Sequence, residues 1–320
     1  MVARCTDEEF IALWEKYPSA TDLAKVLKVD PRNIQQRRKR IQERHGVLLA
    51  SPHKRSPTFQ VTIPNNGVRV GVQIDDGVII VGSDAHYIPS VISAAHRAFL
   101  KLIKELQPKM IVLNGDVFDG GSVSRHPRIG WSKAYTVKQE LDAARERLSE
   151  IEAVSANSRL HWTWGNHDLR FSSRLASQTP EYEGVFGFHL PDHFPRWNYS
   201  TSVMVNGHTL IKHRWHNGIH ATYNNTLKAG VSMVTGHLHS LKVTPWTDYS
   251  EQKTRYGVDT GTLADPHGEQ FDYSEDSPKN HRSGFAVLTF FNGKLMPPEL
   301  CEVVDEEGGV CYFRGEIITV

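Results

Sequence analysis

The sequence predicts an α/β protein with a small all-helical domain in front of it. Three observations carry that prediction. Between residues 77 and 164, strand-like apolar runs alternate with amphipathic helical ones. Residues 1–50 show three helical patterns and no strand. From about residue 202 the chain turns to closely spaced strands with few helices between them. Of the 320 residues, 39% are hydrophobic and 23% charged, a globular balance with ample length for a large core.

Taken in order, TDEEFIALWEKY places Phe10, Leu13 and Trp14 at helical spacing behind Thr6 as N-cap. SATDLAKVLKV puts Leu23, Val26 and Leu27 on one face. DPRNIQQRRKRIQERHG has Asp30 as N-cap, Pro31 at the first helical position and Gly46 as C-cap, but a thin apolar stripe of Ile34 and Ile41. Two short helices, a tight turn at Val29-Asp30 and a basic third helix follow the order of a helix-turn-helix. Residues 51–67 read as a linker broken by Pro, Ser and Asn, and residues 68–320 as the main domain. VRVGVQI and VIIVGS flank DDG, the signal of a hairpin. Helices over SVISAAHRAFLKLIKELQ and VKQELDAARERLSEIEAV alternate with strands KMIVLNG and RLHWTW. That is βαβ order and implies a parallel sheet. SVMVNGHTLIKH reads as a hairpin about Asn206-Gly207, and VSMVTG, LKVTPW, RYGVDTG, FAVLTFFNGKL and GGVCYFRGEIITV as strands.

Charge is unevenly spread. Residues 1–56 hold 12 Lys/Arg against 7 Asp/Glu, and the rest 25 against 29. A basic front on a mildly acidic body suggests a polyanion partner, with DNA favoured. On the third helix Arg32, Asn33 and Gln36 are of the types that read base edges, and Arg37 and Arg40 suit phosphates. The three cysteines form no CxxC pair, which fits reduced thiols in a cytoplasmic protein. DEEGG lies between Cys301 and Cys311 and brings them near each other on a hairpin. No apolar run reaches membrane-spanning length, and MVARCTDEEF has no apolar core of a signal peptide. The sequence is silent on oligomeric state.

The polar residues cluster at strand ends. VIIVGS leads into Asp84 and His86, KMIVLNG into Asp116 and Asp119, RLHWTWG into Asn166, His167 and Asp168, TLIK into His213, and VSMVTG into His237 and His239. Ligands of open α/β sheets bind beyond the carboxyl ends of the strands. Carboxylate and amide oxygens mixed with imidazoles suit Mn, Fe or Zn better than Mg or Ca. One carboxylate can bridge two ions about 3.5–4 Å apart, a pair that clamps the oxygens of a displacement at phosphorus.

The order S-D84-A-H86, G-D116-V-F-D119, G-N166-H167-D168, H213, G-H237-L-H239 resembles the calcineurin-like metallophosphoesterase superfamily, from about residue 77 to 263. VDTGTLAD and HRSGFAV look like late strands of its phage-encoded members. The resemblance implies two stacked mixed β-sheets flanked by helices, and two divalent ions, with Mn favoured over Fe, Zn or Ni. Asp84, His86 and His239 would hold one ion and Asn166, His213 and His237 the other, bridged by Asp116. His167 would protonate the leaving oxygen. Asp168 would orient His167, and Asp119 would act from behind the ligands. Arg170 could reach a phosphate oxygen. The family pattern His-Gly is replaced here by KHRWHNG. His213, which closes the strand, is taken as the ligand, with His216 as the alternative. The implied activity is hydrolysis of P–O bonds. The motifs do not select the substrate, and it is the basic N-terminal module, which would raise the local concentration of DNA phosphates, that favours DNA or a nucleotide. A phosphomonoesterase, a cyclic-nucleotide phosphodiesterase and an inactive DNA-binding scaffold are the other readings.

Overall fold

The structure, a computed structural model, describes residues 5–47, 49, 69–126, 130, 131, 133, 135–155, 157–275 and 280–320. The expected linker lies outside them. The chain divides into two compact units, Met1–Gln60 and Val61–Val320.

The first unit has helices α1 (Asp7–Lys16), α2 (Ala20–Leu27) and α3 (Pro31–His45). Thr6 caps α1 in a reciprocal box with Glu9. Lys28 ends α2 in the left-handed region at φ 51°. Asp30 accepts from the Arg32 N–H at the start of α3, and Gly46 closes it at φ 65°. The amphipathic faces meet in a small core of Phe10, Trp14, Leu23, Ala24, Ile34, Ile41 and Leu49.

The second unit runs β1 (Arg69–Val72), β2 (Gly77–Gly82), α4 (Ala94–Leu106), β3 (Met110–Leu113), α5 (Val137–Val154), β4 (Arg159–Thr163), α6 (Asp168–Gln178), α7 (Leu190–His193), β5 (Asn198–Ser200), β6 (Ser202–Val205), β7 (Thr209–Ile211), α8 (Ala221–Ala229), β8 (Ser232–Thr235), β9 (Lys242–Thr247), β10 (Thr254–Asp259), β11 (Gly284–Phe291), β12 (Lys294–Leu295), β13 (Glu299–Asp305), β14 (Val310–Phe313) and β15 (Glu316–Thr319). These form two mixed sheets. One has the order β1-β6-β7-β8-β10-β9, the other β15-β14-β13-β11-β2-β3-β4-β5, with β12 beside β11. The β2-β3-β4-β5 run is parallel, as the βαβ pattern requires. Ile80, Ile111, Leu113, Leu160 and Trp162 pack in one core with Ala95, Phe99, Leu102 and Ile103 of α4 and Ala144, Leu148 and Ile151 of α5. Ile79, Val81, Met110 and Val112, on the other face, are equally buried. The central strands are therefore buried on both faces, and β2 and β3 read as unbroken apolar runs.

The expected hairpin across DDG does not form. β1 lies parallel to β6, with Arg69 opposite Ser202 and Val72 opposite Val205, whereas β2 pairs with β3 and β11 in the other sheet. Asn206 supplies the reason. Its N–H donates to the Val72 carbonyl and its side chain accepts from the Ile74 N–H. The chain is thus bound into one sheet before Asp75-Asp76-Gly77 carries it to the other. Asn206 and Gly207 form the expected β6–β7 turn, at φ 51° and 71°. Cys301 and Cys311 lie on the neighbouring strands β13 and β14, buried and as free thiols. No helix among the described residues is long and apolar enough to cross a membrane.

Candidate metal centre

Five strands end at one rim. The chain leaves β2 into Asp84 and His86, β3 into Asp116 and Asp119, β4 into Asn166 and His167, β7 into His213, and β8 into His237 and His239. Pairing continues past the strands: the N–H groups of Asp84, His86 and Tyr87 donate to the carbonyls of Gly115, Asp116 and Val117 at 2.9, 3.0 and 3.1 Å. Asp84, His86, Asp116, His237 and His239 all adopt left-handed backbone, at φ 53°, 40°, 53°, 72° and 55°. Each such non-glycine position costs about 1–3 kcal/mol, and such strain concentrates at functional sites. The glycines of the motifs answer a different demand. A Cβ on Gly165 would overlap the Asp116 carboxylate and backbone nitrogen, and one on Gly236 would overlap Asp84 and Ser83.

Among the described residues three overlapping groups have ligand atoms within 4.8 Å of one another: Asp84, His86 and His239; His86, Asp116 and His167; Asp116, His213 and His237. Asp84 and Asp116 are almost wholly shielded from solvent. Burial opposes their ionisation, yet His239 and His213 hold Asp84 down at about 2. His213, His167 and His86 hold Asp116 well below the carboxylate range despite its burial. Burial also opposes charge on His213, but Asp116 and Asp84 raise it to about 10. An interior that keeps two carboxylates ionised and draws a proton onto an imidazole is one that attracts cations.

The donor atoms fit metal ions. His86 donates from Nδ1 to Asp119 Oδ1 at 2.9 Å, and His213 from Nδ1 to the Asn114 carbonyl at 2.7 Å. Both acceptors leave the Nε2 lone pair facing the cluster, as ligating imidazoles require. His86 Nε2 and Asn166 Oδ1 are buried without a hydrogen-bond partner. Buried orphans need an explanation, and a bound cation would supply it. His213 Nε2 stands 3.1 Å from Asp116 Oδ2, inside the cluster. His216 is not in it, and its backbone N–H donates to Asn225.

Two residues do not do what was expected of them. Asp168 does not orient His167. Its carboxylate accepts from the N–H groups of Asp116, Val117, Phe118 and Gly165 and from Trp162 Nε1, at 2.9–3.1 Å. It pins the Asp116 loop instead, because α6 starts at Asp168 and turns that side chain inward. Asp119 takes the orienting role, with Oδ1 and the backbone carbonyl both 3.0 Å from His167 Nδ1. Arg37 is likewise not a free contact for nucleic acid. It lies 5.1 Å over the Phe10 ring and donates to the Cys5 carbonyl and Asp7. Arg32, Asn33, Gln36 and Arg40 are exposed on α3, away from buried Ile34 and Ile41. Arg170 reaches the site, donating to His167 Nε2 and the Asp119 carbonyl, each at 3.0 Å.

Sequence reasoning passed over Glu140, Phe271 and His281. Glu140 accepts from the Gly120 and Gly121 N–H groups behind Asp119, and burial plus the Asp119 charge push it up to about 8. Phe271 and His281 lie against His239. The one prior signal was the polar start of HRSGFAV.

Residues 77–258 match the calcineurin-like phosphoesterase family. The chain belongs to that family. This calcineurin-like phosphoesterase is a metal-dependent hydrolase of phosphoric esters, with the carboxylate–imidazole cluster as its candidate divalent-metal site. It is 27% identical over 252 residues to the Gene 54 protein of Mycobacterium phage L5, covering 71% of this chain and 93% of that protein. Identity to the Gene 54 protein of Mycobacterium phage D29 is 27% over 253 residues, with the same coverage. It is also similar to Yfce, a phosphoesterase from E. coli, at 14% identity and a TM-score of 0.32, covering 69% of this chain and 97% of that one.

Proposed function

We propose that this phosphoesterase is a nuclease, a DNA-directed phosphodiesterase with two divalent ions, held to its substrate by the N-terminal unit as a helix-turn-helix. The observation that carries the proposal is the exposed ridge of α3, where Arg32, Gln36 and Arg40 follow at intervals of four with Asn33 beside them. Those residue types read bases and phosphates in a major groove. A fused DNA-binding module raises the local concentration of phosphodiesters at the hydrolytic site.

In this reading Asp84, His86 and His239 would hold one ion and Asn166, His213 and His237 the other, with Asp116 shared between them. The mixed oxygen and imidazole set favours manganese, with iron, zinc or nickel as the alternatives. The ions, when bound, would supply Lewis-acid stabilisation of the phosphoryl oxygens and activation of water. The chain supplies the rest. His167 keeps Nδ1–H on Asp119, while Nε2 accepts from Arg170. An entering phosphate draws the guanidinium away and frees Nε2 to carry a proton to the leaving oxygen. Burial works against protonation of His167, but Asp119 and Asp116 outweigh it and raise its pKa.

The test is manganese-loaded protein with end-labelled single- and double-stranded DNA, beside Asp116→Asn and the double variant Arg32→Glu with Arg40→Glu. Cleavage absent from Asp116→Asn and reduced at least about tenfold in the double variant, with turnover of a small phosphodiester unchanged in the latter, is the expected result. Intact DNA alongside turnover of small esters would make the enzyme a phosphomonoesterase or cyclic-nucleotide phosphodiesterase. DNA binding with no turnover of any ester would make it a scaffold.

A further inference from the structure

Each candidate ligand imidazole must point one bare nitrogen at its ion. His86 and His213 have this settled by groups that can only accept, the Asp119 carboxylate and the Asn114 carbonyl. His239 has a different partner. Its Nε2 lies 3.0 Å from Asp84 Oδ1, on the cluster side, while its Nδ1 lies 3.4 Å from Nδ1 of His281. The two rings meet edge to face, with centroids 4.5 Å apart and planes at 71°. His281 is not placed by chance. The next residue, Arg282, donates its N–H to the His239 carbonyl at 2.7 Å and accepts from the Thr262 N–H at 3.1 Å. A Cβ on Gly261 would overlap that same Arg282 carbonyl, so the approach is available only to glycine. Phe271, 3% exposed, closes the remaining side, with ring centroids 5.2 Å from His239, 5.3 Å from His281 and 5.6 Å from His86.

We infer that His281 is a positioning residue of the metal centre: its Nδ1 accepts the Nδ1 proton of His239 and so fixes the tautomer and ring plane that present His239 Nε2 to the ion. To accept there, a neutral His281 carries its own proton on Nε2. Phe271 packs against both rings and limits how either can turn. The inference rests on reading His239 as a ligand. Partners one step behind a ligating imidazole are worth about 10- to 100-fold in metal affinity.

The test is titration of Mn2+ alone into metal-stripped full-length protein, by calorimetry, for wild type, His239→Ala, His281→Phe, His281→Ala and His281→Gln. His281→Phe keeps a ring and removes the acceptor, and His281→Ala inserts nothing should the apolar ring disturb the fold. His281→Gln restores an acceptor oxygen. Melting of each metal-free variant separates a lost fold from a lost ligand. We expect His281→Phe and His281→Ala to weaken one of two Mn2+ equivalents by about 10- to 100-fold and leave the other unchanged, and His281→Gln to recover most of the loss. Wild-type binding in the Phe and Ala variants, or a Gln variant no better than they are, overturns the inference. If His239→Ala keeps both equivalents, it is the ligand reading of His239 that fails instead.

Discussion

At the residue scale the centre depends on a division of labour between two aspartates. Asp168 satisfies five buried donors, and Asp119 steers the imidazoles of His86 and His167. Each buried donor left unmet costs about 1–3 kcal/mol. Asp168→Ala is therefore expected to lower the melting temperature sharply. Asp119→Asn is expected to melt near wild type while kcat on a small phosphodiester falls about 100-fold. Lost turnover at unchanged stability in Asp168→Ala would reverse the two roles. The arginines of α3 divide in the same way. Arg37 is tied to Cys5, Asp7 and the Phe10 ring, whereas Arg40 is exposed. Arg37→Ala should destabilise the N-terminal unit in thermal melts, by about 1–2 kcal/mol. Arg40→Ala should leave stability within about 0.5 kcal/mol and weaken DNA binding. An unchanged melt for Arg37→Ala would free that side chain for nucleic acid after all.

At the element scale, the strands and helices around the centre also bury histidines that it does not use. Burial pulls His161 of β4 down to about 4, and burial with the charges of Arg147 and Arg97 pulls His96 of α4 down to about 3. Both are neutral in the fold and take up protons near pH 6.5 once unfolded. Their contribution is complete above pH 6.5 and is lost as the pH falls toward 4. For His161 that amounts to about 2 kcal/mol by pH 5. The melting temperature should fall between pH 7 and 5, and fall less in His161→Gln. Parallel curves for the two proteins would show that His161 does not contribute. The elements also explain what was legible. α4 and α5 follow their amphipathic periods, and β2 and β3 are apolar runs bounded by Gly or Pro. β5 is three residues long, and α6 buries only Asp168 and Leu175. A three-residue strand is too short to show a period, and α6 follows directly on the polar Asn166-His167 turn that masks its start.

At the scale of the whole molecule, the candidate metal centre lies between the two sheets. Asp84 comes from one and meets the His237 N–H and His239 from the other, and His213 reaches across to the Asn114 carbonyl. Ions bound there should therefore staple the sheets. At an ion concentration of about 100 times Kd they would add about 2.7 kcal/mol. A chelator should lower the melting temperature of wild type and barely move that of Asp116→Asn. A wild-type melt indifferent to chelator would remove the ions from the account of stability. By itself the sequence determined the α/β class, the βαβ run, the helix caps of the N-terminal unit and the family motifs at the strand ends, because local periodicity, capping and strand-end chemistry are written in neighbouring residues. Only the tertiary structure decided that β1 and β2 belong to different sheets, that Asp168 pins a loop while Asp119 steers two imidazoles, that Arg37 faces inward, and that His281 meets His239. Each of those depends on partners distant in the chain, Asn206 for β1 and Phe10 for Arg37 among them, and no local pattern encodes which distant group a side chain will face.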